Sequence, residues 1–177
     1  MCGIMGYLGS KSATDVLTNG LMRLEYRGYD SSGVALHHEG QLERRRAVGR
    51  VEELTRQLES EPTDGGLGIA HTRWATHGAP SENNAHPHLD ASGSIALVHN
   101  GVIENHLAIR SYLENKGISF VSETDTESLV QLIGFLYSES GDLLESIRRA
   151  LKDVRGTYGV AVICTDAPDT LVAARRG

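Results

Sequence analysis

Cysteine, aromatic residues and long apolar runs are all scarce in this chain of 177 residues, and each scarcity excludes something. Only two cysteines occur, Cys2 and Cys164, too far apart in sequence and too few to build a disulfide framework, so a reducing compartment such as the cytoplasm is expected. No run approaches the ~18 apolar residues of a membrane span. No basic segment followed by an apolar one opens the chain, so neither a secretory signal nor a membrane partner is expected. Positive charge is also short: 17 Lys and Arg face 23 Asp and Glu, for a net charge of −6. That balance argues against nucleic acid as a partner. The one basic cluster, Arg44-Arg45-Arg46, reads as a solvated strand edge. Aromatics make up 5% of the chain, whereas glycine supplies 20 residues, which points to tight turns and close backbone approaches. Gly65-Gly66-Leu67-Gly68 precedes a strand pattern instead of following one, so it fails as a dinucleotide-binding loop.

What is present is an alternation of short strands and amphipathic helices. Gly3 to Leu8 suits a buried strand, and Ser12 with Asp15 opens a helix carrying Val16, Leu17, Leu21 and Leu24. Val34 to His37 and Leu42 to Ala47 form a hairpin about Gly40, followed by a short helix with Val51, Leu54 and Leu58 on one face. Leu67 to Thr72 and Ile95 to His99 are further strands, the second stopped by Asn100-Gly101. Between them Arg73 to Leu89 is polar and without period, and a loop that long inside a compact domain is commonly functional or disordered. Asn105 is placed to cap a helix ending at Gly117, and Phe120-Val121 reads as a short strand. Thr124 and Glu127 have capping-box spacing before a long helix. A helix over Asp142 to Val154 and strands over Tyr158 to Thr165 and Thr170 to Ala174 complete the pattern. Hairpins mixed with helix pairs predict layered antiparallel sheets covered by helices.

Cys2 directly follows Met1. Removal of a methionine before a small residue would leave a thiol and a free α-amine on one residue. An α-amine titrates near ~7.7–8.0, well placed to accept a thiol proton at neutral pH. Attack on an amide would create an oxyanion needing fixed donors. The Asn100 carboxamide and the Gly101 N–H could supply them, although a plain turn is the usual meaning of Asn-Gly. Arg73 beside Trp74 could hold a carboxylate, and Asp125 an ammonium group, or each could serve only a surface ion pair or a helix N-terminus. His71, His77, His86 and His88 crowd one region, but their spacing is not that of a zinc site and no metal is expected. Cys164 lies in an apolar strand and reads as core.

Taken together, several long runs resemble the glutaminase domain of the class II glutamine amidotransferases, a group within the N-terminal-nucleophile hydrolases. They are Cys2 onward, Arg23-Leu24-Glu25-Tyr26-Arg27-Gly28-Tyr29-Asp30-Ser31, Ala70 through Gly78, Asn84-Ala85-His86-Pro87-His88, Val98-His99-Asn100-Gly101 and Phe120 through Glu127. They are most similar to the branch that aminates fructose 6-phosphate. The resemblance implies an α+β fold, a four-layer αββα sandwich, with residues 1–177 forming one glutaminase domain. It implies hydrolysis of L-glutamine to glutamate and ammonia without a cofactor. Cys2 would be the nucleophile and its α-amine the base, with Asn100 and Gly101 as the oxyanion hole. Arg73, helped by Thr76 and His77, would hold the substrate carboxylate and Asp125 its ammonium group. Trp74 would belong to a closing loop, His86 would line the site and Arg27 would steady the terminal segment. In the family further strands and a sugar-phosphate isomerase domain follow, with homodimers at full length, so this chain is expected to end short of both. The glutaminase part of another amidotransferase, or an inactive module binding glutamine or a partner domain, are the competing readings.

Overall fold

The computed structural model describes residues 2–74 and 80–177, with the side chain of Arg27 falling outside that description. Two four-stranded sheets, antiparallel throughout, lie at its centre. The first contains β1 (Gly3–Leu8), β2 (Ser31–His38), β3 (Gln41–Val48) and β4 (Leu67–Arg73) in the order β1-β4-β2-β3. The second contains β5 (His88–Leu89), β6 (Ile95–Ile103), β7 (Gly156–Cys164) and β8 (Val172–Arg176) in that order. Helices α1 (Ala13–Leu24) and α2 (Val51–Ser60) cover the first sheet. Helices α3 (His106–Glu114), α4 (Asp125–Ser140) and α5 (Leu143–Asp153) cover the second. The layers therefore run helix, sheet, sheet, helix.

Side-chain period explains the layering. Along β4, Leu67 and Ile69 enter the seam between the sheets while Ala70 faces α1 and α2. Along β6, Ala96 and Val98 enter the seam while Ile95 and Leu97 face α4. Successive strand residues point to opposite faces, so odd residues of β4 and even residues of β6 meet each other. The helices keep the complementary period: Val51, Leu54 and Leu58 bury one stripe of α2. Each fully buried Leu or Ile contributes about 1.5–3 kcal/mol relative to exposure, so these stripes dominate what holds helix to sheet.

Local chemistry sets the helix boundaries. Ser12 Oγ accepts from Asp15 N (3.1 Å), Thr124 Oγ1 from Glu127 N (3.2 Å) and Asp142 Oδ1 from Glu145 N (2.9 Å). Helix α4 stops at Gly141, whose φ of +67° suits a left-handed cap.

Four expectations need correction. Phe120-Val121 is not a strand: the Glu127 carboxylate accepts from Val121 N (2.9 Å) and Ser122 N (2.7 Å), which supplies what a ladder would have supplied. Asn105 stands at the N-cap position of α3 without a side-chain capping bond. Instead it ties two backbones, donating to Asp153 O and accepting from Arg155 N. Asn100 and Gly101 do not end β6 but lie within it, opposite Gly159 and Tyr158 of β7. The arginine run does lie on an edge strand, β3, but it is not freely solvated. Arg44 and Arg46 donate to the carbonyls of Pro87 and Ala85, on the side of β3 shared with the seam residue Leu42, and Arg46 is buried.

Candidate active site

The strand parity that builds the seam also delivers polar side chains to one end of it. His71 and Arg73 continue the seam-facing series of β4, and Asn100 continues that of β6. Cys2 immediately precedes β1, in step with the seam residue Ile4. A small cleft, with a cavity volume of about 50 Å³, opens there. Its lining includes Cys2, Arg73, Trp74, Asn100, Gly101 and Asp125.

Cys2 Sγ accepts from the Trp74 backbone N–H at 3.2 Å. The Asn100 amide donates to Cys2 O at 3.2 Å, and Asn100 Oδ1 pairs with His71 Nε2 at 2.8 Å. Gly101 adopts φ +128°, and a Cβ there would lie 2.2 Å from the Thr157 carbonyl oxygen. Only glycine satisfies both conditions. Gly28 lets the segment before β2 close on the end of β4: a Cβ would meet Arg73 C and Trp74 N at 3.0 and 3.1 Å.

Arg73 and Asp125 place opposite charges in the same cleft. Burial pushes the Arg73 guanidinium below its ordinary value, while electrostatic attraction from its neighbours, Asp30 and Asp125 among them, opposes that shift. Asp125 is the first residue of α4, and its Oδ2 accepts from Ile103 N at 2.8 Å, which locks the carboxylate against the end of β6. Trp74 is exposed and meets Tyr29 edge-on at 5.6 Å between centroids.

Behind these groups lie stacked, buried imidazoles. His71 and His86 stack at 4.3 Å, and His86 meets His88 edge-on at 4.9 Å. His86 Nδ1 accepts from His99 N, His88 Nε2 pairs with Thr124 Oγ1, and His99 Nδ1 pairs with Thr126 Oγ1. Burial pushes His71 down to about 4 and His86 and His88 well below the usual histidine value. Burial lowers His99 as well, against the opposing charge of Asp125. Among the described residues no three His, Cys, Asp or Glu side chains converge as ligands of one metal ion.

The structure thus gathers Cys2, Arg73, Trp74, His86, Asn100, Gly101 and Asp125 about one cleft. Thr76 and His77 lie outside the described residues, as does the side chain of Arg27, whose backbone belongs to a short 3-10 turn over Glu25–Arg27. Sequence reasoning overlooked His71, His99, Thr124 and Thr126 as lining residues. All four sit inside the runs that carry the family resemblance, and the strand period would have sorted His71 toward the seam and His99 toward α4.

Comparison with known proteins adds an independent line. Residues 71–176 match the family model described as a glutamine amidotransferase domain. The chain is 54% identical over 178 residues to a glutamine–fructose-6-phosphate aminotransferase (isomerizing) of Pseudomonas syringae pv. tomato. It is 50% identical over 176 residues to the protein of the same name from Caldanaerobacter subterraneus subsp. tengcongensis. These alignments cover 100% and 99% of this chain but only 29% of each relative, so the chain spans under a third of the length of those proteins. The fold is similar to that of glutamine phosphoribosylpyrophosphate amidotransferase from B. subtilis, with a TM-score of 0.81 at 26% identity, over 99% of this chain and 37% of that one.

Proposed function

The chain belongs to the class II glutamine amidotransferase family, and from that membership we propose that it hydrolyses L-glutamine to glutamate and ammonia with Cys2 as nucleophile. The observation that carries this reading is the convergence of one thiol, one amide donor, one buried cation and one anion on a single cleft. Arg73 takes the substrate α-carboxylate and Asp125 the α-ammonium group, leaving the side-chain amide to reach Cys2. Thr76 and His77 assist Arg73, Trp74 and His86 wall the site, and Arg27 steadies the terminal segment.

With Met1 removed, the α-amine of Cys2 takes the thiol proton, directly or through a water. The thiolate attacks the amide carbon, a C–S bond forms, and the carbonyl electron pair moves to oxygen. The Gly101 N–H and the Asn100 amide hold that oxyanion. Collapse breaks the C–N bond, and the leaving nitrogen takes the amine's proton and departs as ammonia. Water then attacks the thioester, giving up a proton to the same amine. The second tetrahedral species collapses to glutamate and the thiol.

At full length, an adjoining sugar-phosphate isomerase domain uses this ammonia to convert fructose 6-phosphate to glucosamine 6-phosphate, in a cytoplasmic homodimer. Support for this wider role comes from the two aminotransferase relatives. Glutamate and ammonia released from glutamine test the hydrolytic core. Cys2→Ala is expected to abolish release while leaving the melting temperature intact. Undiminished turnover in that variant would remove Cys2 from the reaction, and mass measurement of the N-terminus reports whether the amine is free.

A further inference from the structure

We propose that His71 is a positioning residue, which acts by fixing the Asn100 carboxamide so that its remaining N–H faces the developing oxyanion. The inference rests on the glutaminase reading above and deepens it. Asn100 Nδ2 carries two hydrogens, and one is directed to Cys2 O at 3.2 Å. A backbone carbonyl only accepts, so that contact must come from the amide nitrogen. Asn100 Oδ1 therefore faces His71, and the atom it meets at 2.8 Å, His71 Nε2, must be the protonated ring nitrogen. This assigns both the amide orientation and the imidazole tautomer from the same two contacts.

The imidazole is itself held. His71 is 1% exposed, stands in β4 and stacks on His86 at 4.3 Å. His86 accepts from the backbone of His99, the residue before Asn100. Carboxamide and imidazole are thus fixed from both sheets. Burial keeps His71 neutral down to about pH 4, so its Nε2–H donates to a neutral partner throughout the neutral range. Without that bond the carboxamide could rotate about its last torsion and present its oxygen, a repulsive group, to the forming negative charge. Aiming such a donor is worth about as much as possessing it.

The test compares His71→Leu, which removes the donor, with His71→Gln, whose side-chain amide nitrogen can reach the position of Nε2. In the wild type, nitrogen-resolved NMR of the imidazole should show the Nε2–H tautomer at pH 7. The Asn100 side-chain amide signal, assigned with Asn100→Ala, should shift in His71→Leu and return in His71→Gln. Turnover number should fall about 100-fold in His71→Leu, with the KM for glutamine little changed, and recover at least about tenfold in His71→Gln. His71→Leu added to Asn100→Ala should cost nothing further, because the lost group acts through Asn100. Additive losses, an Nδ1–H tautomer or an unmoved Asn100 signal would each overturn the proposal. If His71→Leu fails to fold, His71→Asn replaces it, since its shorter amide cannot reach Oδ1; activity equal to that of His71→Gln would be equally fatal. A wild type that leaves glutamine intact refutes the glutaminase reading instead, and the NMR measurements still decide the orientation.

Discussion

Replacing Gly101 by alanine should damage both stability and turnover, and by an amount set by the backbone alone. Its φ of +128° lies where L side chains rarely go, a strain of about 1–3 kcal/mol. The added methyl would also stand 2.2 Å from Thr157 O and 2.8 Å from Thr157 C. Those are main-chain atoms of the neighbouring strand, so no rotamer change relieves the overlap, and forced overpacking adds about 1–3 kcal/mol. The sum, about 2–6 kcal/mol, corresponds to a melting temperature lowered by about 5–20 °C for a chain of this size. Gly117 provides the control. Its φ is +86°, yet a Cβ added there would have nothing within 4 Å, so Gly117→Ala should show the strain without the overlap. Calorimetric melts of the two variants separate the terms, and ammonia release should fall only in Gly101→Ala. Equal melting temperatures for both would refute the claim that close approach of β7 is what demands glycine in β6.

Acid should destabilise the fold through the buried imidazoles. His71 is near its ordinary ~6.5 when unfolded but about 4 when folded. The unfolded chain therefore binds a proton that the folded one refuses, and stability present above pH ~6.5 is lost as pH falls toward 4, by on the order of 3 kcal/mol. Urea titrations at several pH values should show a shallower decline for His71→Gln; parallel declines would exclude this cause. Arg46→Met should remove donors from the Asn83 and Ala85 carbonyls (3.3 and 3.0 Å) and cost about 2–3 kcal/mol, read as a lower urea midpoint. Asp125→Asn should raise the KM for glutamine at least about tenfold with a smaller change in turnover number, because charge on the substrate ammonium is left unpaired; steady-state kinetics on glutamine checks this.

Much of the layering was legible in the chain itself, because period survives as burial: Val51, Leu54 and Leu58 could only line a helix, and Gly40 only join a hairpin. What escaped was chemistry between segments distant in sequence. Asn100-Gly101 carries the local signature of a turn, yet pairing with Gly159 and Tyr158 keeps both residues in a strand, a tertiary override that no window of neighbours contains. The arginines at 44–46 look solvated because charge usually is. Nothing local announces that alternate members of the run face the carbonyls of a segment roughly forty residues away. That same contact helps explain how the aperiodic residues just before β5 are held without a ladder: their polar groups are answered by Arg46, Glu123 and the backbone of His99. The candidate site was readable as residue types and as a resemblance, whereas His71 became visible only once two strands were laid face to face.

Alanines contribute to the seam from both sheets: Ala35 on one side, Ala96 and Ala161 on the other. The thiol hangs from the first sheet and its proposed oxyanion donors from the second, so their separation follows the spacing of the sheets, which these alanines set together with Leu67, Ile69, Val98 and Ile163. A single added branch at Ala96 or Ala161 would act as a shim, prising apart groups it never touches. Tolerance for bulk in the middle of the molecule is thereby tied to the tolerance of the reaction, and repacking this interior would change chemistry before it changed shape.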